Sequence, residues 1–378
     1  MSKPSISKIT ASIIAKIFWV KITIALGLLF FYERNFILPS LQSCCRQETR
    51  ASKIFQLSLR HKNKELEKGL VIKSTGSWYQ VKTETGDILP CKIRGKFRSM
   101  GIRTTNPIAV GDQVQFTFDK KSEHGVITSI EPRKNYIIRR SINLSKQAHI
   151  LAANIDQAFL MVTLVKPKTY PEFIDRFLVS AEAYTIPAKI IFNKTDLYDT
   201  AAHNEMQSLK NIYEKIGYPC YIISAREKTG VDTVSELLKD RISLISGHSG
   251  VGKSTLINAI DPELNLKTTE ISQYHDSGKH TTTFPEMHAL VSGGYIIDTP
   301  GIKGFGVVDM DKEELSHYFP EIFARSTQCQ YYNCSHSHEP NCAVKKGVQD
   351  GLIAESRYRS YISLLVGDED EKYRSNAY

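Results

Sequence analysis

The sequence has little of what marks a membrane or secreted protein. Its most apolar stretch, 9–32, is interrupted by Lys16 and Lys21, leaving 22–32 as the longest lysine-free run there. A spanning helix needs about 20 consecutive apolar residues, and each lysine near its centre costs about 2.5–3.5 kcal/mol on insertion. No small-residue cleavage site follows closely, which argues against a secretory signal peptide. Cysteine is scarce and odd in number, seven in 378 residues, so a disulfide-framework miniprotein is excluded. Acidic residues are nearly absent at the start: 1–60 hold nine of the 49 Lys and Arg but two of the 40 Asp and Glu. The formal net charge of +9 is therefore concentrated there, and the remainder is close to neutral. Any nucleic-acid affinity of the body must come from local patches. Residues 1–67 read as an extension with three open interpretations: translated upstream sequence, an organelle transit segment or a weak membrane anchor. No function is assigned to it.

What is present is ordinary globular composition, 41% apolar and 24% charged, with length for two to three domains. From Lys68 the texture is short and alternating: GLVIKS, WYQVKT, ILPCKI, QVQFTF and GVITSI, separated by turn residues. Five such strands predict a small antiparallel barrel over 68–135, of the five-stranded oligonucleotide-binding (OB) type. The loop 94–103 carries Arg94, Lys96, Arg98 and Arg103 around Phe97, offering phosphate contacts and a ring for base stacking. A basic linker, 132–141, then leads to long apolar strands at 157–165, 188–192, 220–223, 241–246 and 295–297, alternating with amphipathic segments. That alternation predicts an α/β domain over 136–306, a parallel sheet with helices on both faces. A mainly helical, metal-binding domain is expected over 307–366, with a helical start at 311–319 and an amphipathic run at 347–365. A polar tail, 367–378, ends the chain.

The strongest local pattern is 247–254, GHSGVGKS, which matches G-x-x-x-x-G-K-[ST] between an apolar strand and a helix-compatible segment. Gly247, His248, Ser249, Gly250, Val251, Gly252, Lys253, Ser254 and Thr255 are thus candidate phosphate-binding residues. Lys253 is expected to reach the β- and γ-phosphates and Ser254 a magnesium ion. Asn193, Lys194 and Asp196 in NKTD follow a strand; Asp196 can accept from the guanine N1 and N2 donors, which adenine does not supply. Ser224 and Ala225 after YII can offer a backbone amide to the guanine carbonyl. Asp298, opening DTPG, places a carboxylate for magnesium, and Gly301 an amide for the γ-phosphate. GKHTTT, 278–283, offers Thr281, Thr282 or Thr283 to the metal, with Thr282 preferred.

In ordinary small GTPases the phosphate loop comes first, whereas here NKTD and SA precede it. The order predicts a circularly permuted P-loop GTPase domain. With barrel, permuted motifs and a Cys/His cluster together, residues 68–365 resemble the RsgA/YjeQ family of circularly permuted ribosome-assembly GTPases. The resemblance implies a GTPase that assists late maturation of the small (30S) ribosomal subunit, contacts rRNA through barrel and metal domain, and leaves after hydrolysis. It also implies GTP or GDP as ligand and a cytoplasmic location, while nothing in the sequence demands a dimer. The competing readings are a nucleotide-gated RNA-binding module with little turnover and a membrane-associated signalling GTPase.

Many GTPases carry a water-positioning glutamine after DTPG, but here Ile302 stands there. His280 is the candidate to orient the water, alongside Lys253 and Gly301 as catalytic groups; a histidine in this switch is implicated similarly in the resembled family. His248 ranks below it. Cys329, Cys334, His336 and Cys342 form C-x4-C-x-H-x5-C, a complete tetrahedral donor set for one structural zinc. His338 is the alternative to His336, and the family's spacing favours His336.

Overall fold

The computed structural model describes residues 66–93, 107–119, 124–140, 148–266, 286–298 and 311–367, apart from the side chains of 119, 138–140, 148–149 and 298. The extension up to residue 65, the basic loop 94–103, the segment 278–283, residues 299–302 and the tail from 368 lie outside the described residues.

Period-two alternation builds the first layer. β1 (Leu66–Ser74), β2 (Tyr79–Thr83), β3 (Ile88–Ile93), β4 (Gln113–Asp119) and β5 (His124–Ile130) follow the order β1-β2-β3-β5-β4, and β4 pairs back on to β1. The five-stranded barrel is thereby closed. Its interior is filled by Val71, Tyr79, Val81, Cys91, Val114, Phe116 and Ile127. A Cβ on Gly69 would fall 2.4 Å from Val81 Cγ1, so β1 and β2 lie closer than any side chain there permits. Burial pushes the Cys91 thiol up to about 12, which makes it a core filler rather than a nucleophile.

The segment expected as a basic linker is structured. β6 (Tyr136–Arg140) pairs antiparallel with β7 (Ala148–Ala153). Arg133 grips the buried Asp112 through two bonds of 2.6 Å, and Asn135 exchanges two 2.8 Å bonds with the Ile155 backbone. Backbone groups that a free linker would leave to water are here paired across the join.

The larger sheet continues as β8 (Gln157–Val162), β9 (Ala188–Phe192), β10 (Cys220–Ile222), β11 (Ile242–Ser246), β12 (Glu286–Ala289) and β13 (Tyr295–Asp298), in the order β10-β9-β8-β11-β13-β12. All neighbours are parallel except β12 with β13. β8 is buried throughout because it faces two cores: Ala158, Leu160 and Val162 on one side, Phe159 and Met161 on the other. The first face is covered by α1 (Pro171–Ala183) and α2 (Thr200–Ile216), the second by α3 (Val231–Leu238) and α4 (Lys253–Ile260). The chain runs outward from β8 to β10 and returns to β11 on the far side of β8. The topological switch, where ligands bind in open α/β sheets, lies between β8 and β11.

The C-terminal region folds as a short 3-10 turn, then α5 (Pro320–Ser326), α6 (Ala343–Gln349) and α7 (Glu355–Val366). The expected single amphipathic run from 347 is broken between α6 and α7, where Gly351 takes φ of 69°. Its core of Phe319, Ile322, Val344, Ile353 and Tyr361 also takes in Val179 of α1. At this contact Arg357 is fully buried and binds Asp175 Oδ1 at 2.9 Å and Glu321 Oε1 at 2.7 Å, with Phe319 4.5 Å from its guanidinium carbon. Asp175 Oδ1 also accepts from Tyr213 OH of α2 at 2.9 Å.

Removing one partner of such a buried pair strands the other charge at a cost of about 3–5 kcal/mol. Arg357→Met is expected to lower the calorimetric unfolding midpoint by roughly 2–4 °C per kcal/mol lost. A midpoint equal to wild type would show that Asp175 and Glu321 are satisfied without the guanidinium.

Candidate functional site

β11 ends at Ser246, and the chain turns through 247–252 before α4 begins. Gly247, Gly250 and Gly252 take φ of 145°, 80° and 103°, values costly for any residue with a Cβ. A Cβ on Gly252 would also fall 2.4 Å from Asn193 Nδ2. The loop therefore curls tightly into the start of α4, the kind of turn whose backbone amides can receive an anion. Lys253 arches over it, its Nζ donating to the carbonyl oxygens of Gly247 at 2.7 Å and His248 at 2.9 Å.

Asn193, immediately after β9, is 1% exposed and joins three segments. Its Nδ2 donates to Val251 O at 2.8 Å, its Oδ1 accepts from Ala225 N at 3.0 Å, and its own amide donates to Val162 O at 2.8 Å. Lys194 adopts a left-handed φ of 63° and donates from Nζ to Lys166 O at 2.6 Å. Burial lowers the pKa of its ammonium, opposed by Asp196. Asp196 is exposed, with Oδ1 accepting from the buried Ser224 hydroxyl at 2.6 Å. The carboxylate is thus both oriented and accessible. Ser254 lies in the first turn of α4, and Asp298 closes β13, which is parallel to β11.

The structure accordingly brings Asn193, Lys194, Asp196, Ser224 and Ala225 together with 247–255. His280, Thr281, Thr282, Thr283 and Gly301 lie outside the described residues, as do Arg94, Lys96, Phe97, Arg98 and Arg103. Three supporting residues belong to no motif. Tyr198 OH donates to Asn193 O at 2.9 Å and accepts from Leu164 N at 3.0 Å, bracing the NKTD loop against the segment after β8. Lys166 supplies the carbonyl that holds Lys194. Phe173 of α1 stacks on the His248 ring, centroids 3.8 Å apart and planes at 28°.

Far along the chain, Cys329, Cys334, His336 and Cys342 place their ligand atoms within 4.8 Å of one another. Cys329 Sγ and Cys342 Sγ are 3.9 Å apart, and His336 Nδ1 is 3.6 and 3.5 Å from them. A tetrahedral ion with bonds of about 2.3 Å to sulfur and about 2.0 Å to nitrogen sets edges of about 3.8 and 3.5 Å. The four side chains can therefore hold a metal ion, with no ligand position left for substrate. Tyr358 and Tyr361 donate to the carbonyls of His336 and Ser335, fixing the ligand loop from α7. His338 instead meets Ser337 at 2.9 Å.

A family profile described as RsgA GTPase matches residues 130–308, and one described as RsgA N-terminal domain matches 68–127. The small ribosomal subunit biogenesis GTPase RsgA of Bacteroides fragilis (strain YCH46) is 60% identical over 308 residues, 82% of this chain and 99% of that relative. The chain belongs to the RsgA GTPase family. Among solved structures, YjeQ from Thermotoga maritima is similar with a TM-score of 0.67 and 37% identity, over 80% of this chain and 98% of that one. YloQ, described as a circularly permuted GTPase, matches with a TM-score of 0.64 and 30% identity, over 82% and 98%. The protein is accordingly a circularly permuted GTPase with an N-terminal barrel and a helical C-terminal region. Among the described residues no helix is long and apolar enough to cross a membrane.

Asn193→Ala would leave Val251 O and Ala225 N buried without a partner, about 1–3 kcal/mol for each such group. GDP affinity measured by titration calorimetry is expected to fall at least ~10-fold, the equivalent of ~1.4 kcal/mol. Unchanged affinity would show that the loops hold their geometry without this tie.

Proposed function

We propose that the protein hydrolyses GTP as a late-stage assembly factor of the small (30S) ribosomal subunit, binding rRNA and leaving after hydrolysis. The Asn193 tie carries the nucleotide half, because it sets the base-reading carboxylate of Asp196 and the phosphate loop in one frame. The ribosomal half rests on the small-subunit biogenesis role in the name of the Bacteroides fragilis relative.

In this reading Asp196 accepts from guanine N1 and N2, and the Ala225 region offers its backbone to the guanine carbonyl. Amides of 249–255 receive the phosphates and Lys253 turns from its loop carbonyls to the β- and γ-oxygens. Ser254, Asp298 and Thr282, chosen among Thr281 to Thr283, hold Mg2+, which neutralises charge on the phosphate oxygens when bound. His280 orients the attacking water, since Ile302 replaces the usual glutamine, and the Gly301 amide meets the γ-phosphate. Cys329, Cys334, His336 and Cys342 hold one structural Zn2+, three thiolates and an imidazole being its preferred closed set. Arg94, Lys96, Phe97, Arg98 and Arg103 contact rRNA. The protein acts as a monomer in the cytoplasm, where ribosomal subunits are its partners.

GTP turnover by the full chain is expected to be slow alone and strongly stimulated by purified small subunits, but not by large subunits or free RNA. Absence of stimulation by any ribosomal particle would overturn the ribosomal half, and absence of GTP binding both halves. His280→Ala is expected to lower turnover at saturating GTP by ~10²-fold or more with affinity nearly unchanged, as for loss of a general base. Turnover equal to wild type would remove His280 from the mechanism.

A further inference from the structure

The phosphate loop is rich in glycine and has little intrinsic rigidity, so its shape must be imposed by neighbours. Its second half is held firmly: Val251 is fully buried and its carbonyl is bound by Asn193. Its first half is held differently. The carbonyls of Gly247 and His248 accept from Lys253, the residue that serves the phosphates once nucleotide arrives. When Lys253 turns away, the described backbone bond remaining to His248 O is the long one from Val251 N, 3.3 Å. The His248 ring, however, lies flat against Phe173, half-buried, at 3.8 Å between centroids. Burial, aided by the nearby Lys253 charge, holds the imidazole pKa below its ordinary value, which favours the uncharged ring in the stack.

Phe173 is well suited to anchor a loop because its own helix is packed on two sides. One face of α1 is packed into the sheet core through Ile174, Phe177 and Leu178. Two residues beyond Phe173, Asp175 is bound by the buried Arg357, and Val179 enters the C-terminal core.

We propose that Phe173 is a positioning residue for GTP binding: by stacking on His248 it keeps the first half of the phosphate loop in its receptive shape after Lys253 leaves the loop carbonyls. This rests on the GTP reading of the site above. Its role is to act through His248, the ring it stacks on. A stacked aromatic pair adds enough to shift affinity by about 3- to 10-fold.

A double-mutant cycle on the full chain tests it, read as GDP and non-hydrolysable GTP-analogue affinity with thermal melts recorded in parallel. Phe173→Leu is expected to weaken both nucleotides about 3- to 10-fold. Phe173→Tyr, which keeps the ring, is expected to bind like wild type. In a His248→Ala background Phe173→Leu is expected to add nothing, because the stack is already gone. Full additivity, or a leucine variant that binds like wild type, would overturn the proposal while wild-type binding leaves the GTP reading intact. A wild-type chain that binds neither nucleotide would overturn both. If the leucine variant does not fold, Phe173→Met, which keeps bulk without the ring, takes its place in the cycle with the same expected and overturning results.

Discussion

The two ends of the Asn193 carboxamide are engaged at once, one on the carbonyl of Val251 and the other on the amide of Ala225, in an interior where neither can turn to water. A typical hydrogen bond contributes only about 0.5–1.5 kcal/mol net, but a buried group left unmatched costs about 1–3 kcal/mol. The penalty for breaking the arrangement therefore exceeds the gain from making it, which gives the loops one permitted geometry. In the permuted chain NKTD comes first, and the chain traverses α2, β10, α3 and β11 before the phosphate loop begins. Backbone continuity does not set one loop against the other over that path. The Asn193 side chain at the end of β9 does, and Tyr198 and Lys194 tie its loop to Leu164 and Lys166 in the segment after β8.

The flanking regions are fastened to this frame by unequal means. The barrel meets the sheet through the Lys73–Glu286 pair at 2.9 Å, yet both side chains are more than a third exposed, so the pair is worth about 0–1 kcal/mol. Leu70, Ile72 and Val110 share one buried cluster with Ile155 and Leu160, and at about 25 cal/mol per Å² of apolar surface that burial outweighs the ion pair. The C-terminal region is joined by apolar contacts too, but with Arg357 at their centre. Removing water from that guanidinium is compensated by two carboxylates and a ring face, so the join is specific as well as apolar.

Much of this architecture is legible in residue order. Alternation marks β1 to β5 because a barrel strand has one face in and one face out. The unbroken run QAFLMV marks β8 because a central parallel strand has two buried faces. The phosphate loop and NKTD are legible because their chemistry admits few residue types. What escapes is set by partners remote in sequence. β6, with its basic YIIRR, reads as a linker until its pairing with β7 is seen. β12, EMHA, is too short for periodicity to speak. Arg357 falls where a charged residue is ordinarily solvated, and only the meeting of α1, α5 and α7 buries it. Tyr198 and Phe173 look like core aromatics of a helical α/β domain, and their tasks depend on which loop lies opposite.

The shared element in these arrangements is α1. It lies at the switch in the sheet, presents Phe173 to the phosphate loop, and presents Asp175 and Val179 to the domain that contains the Cys3His cluster. That cluster is closed, four ligands with none to spare, so a metal there can act only by stiffening the fold around it. Stiffness at that point is useful because Tyr358 and Tyr361 of α7 grip the ligand loop while Arg357 of the same helix grips α1. The Cys3His knuckle, a buried ion pair and a helix in the sheet core thus form one continuous support, and the phosphate loop, built from glycines that cannot hold their own shape, rests against its end.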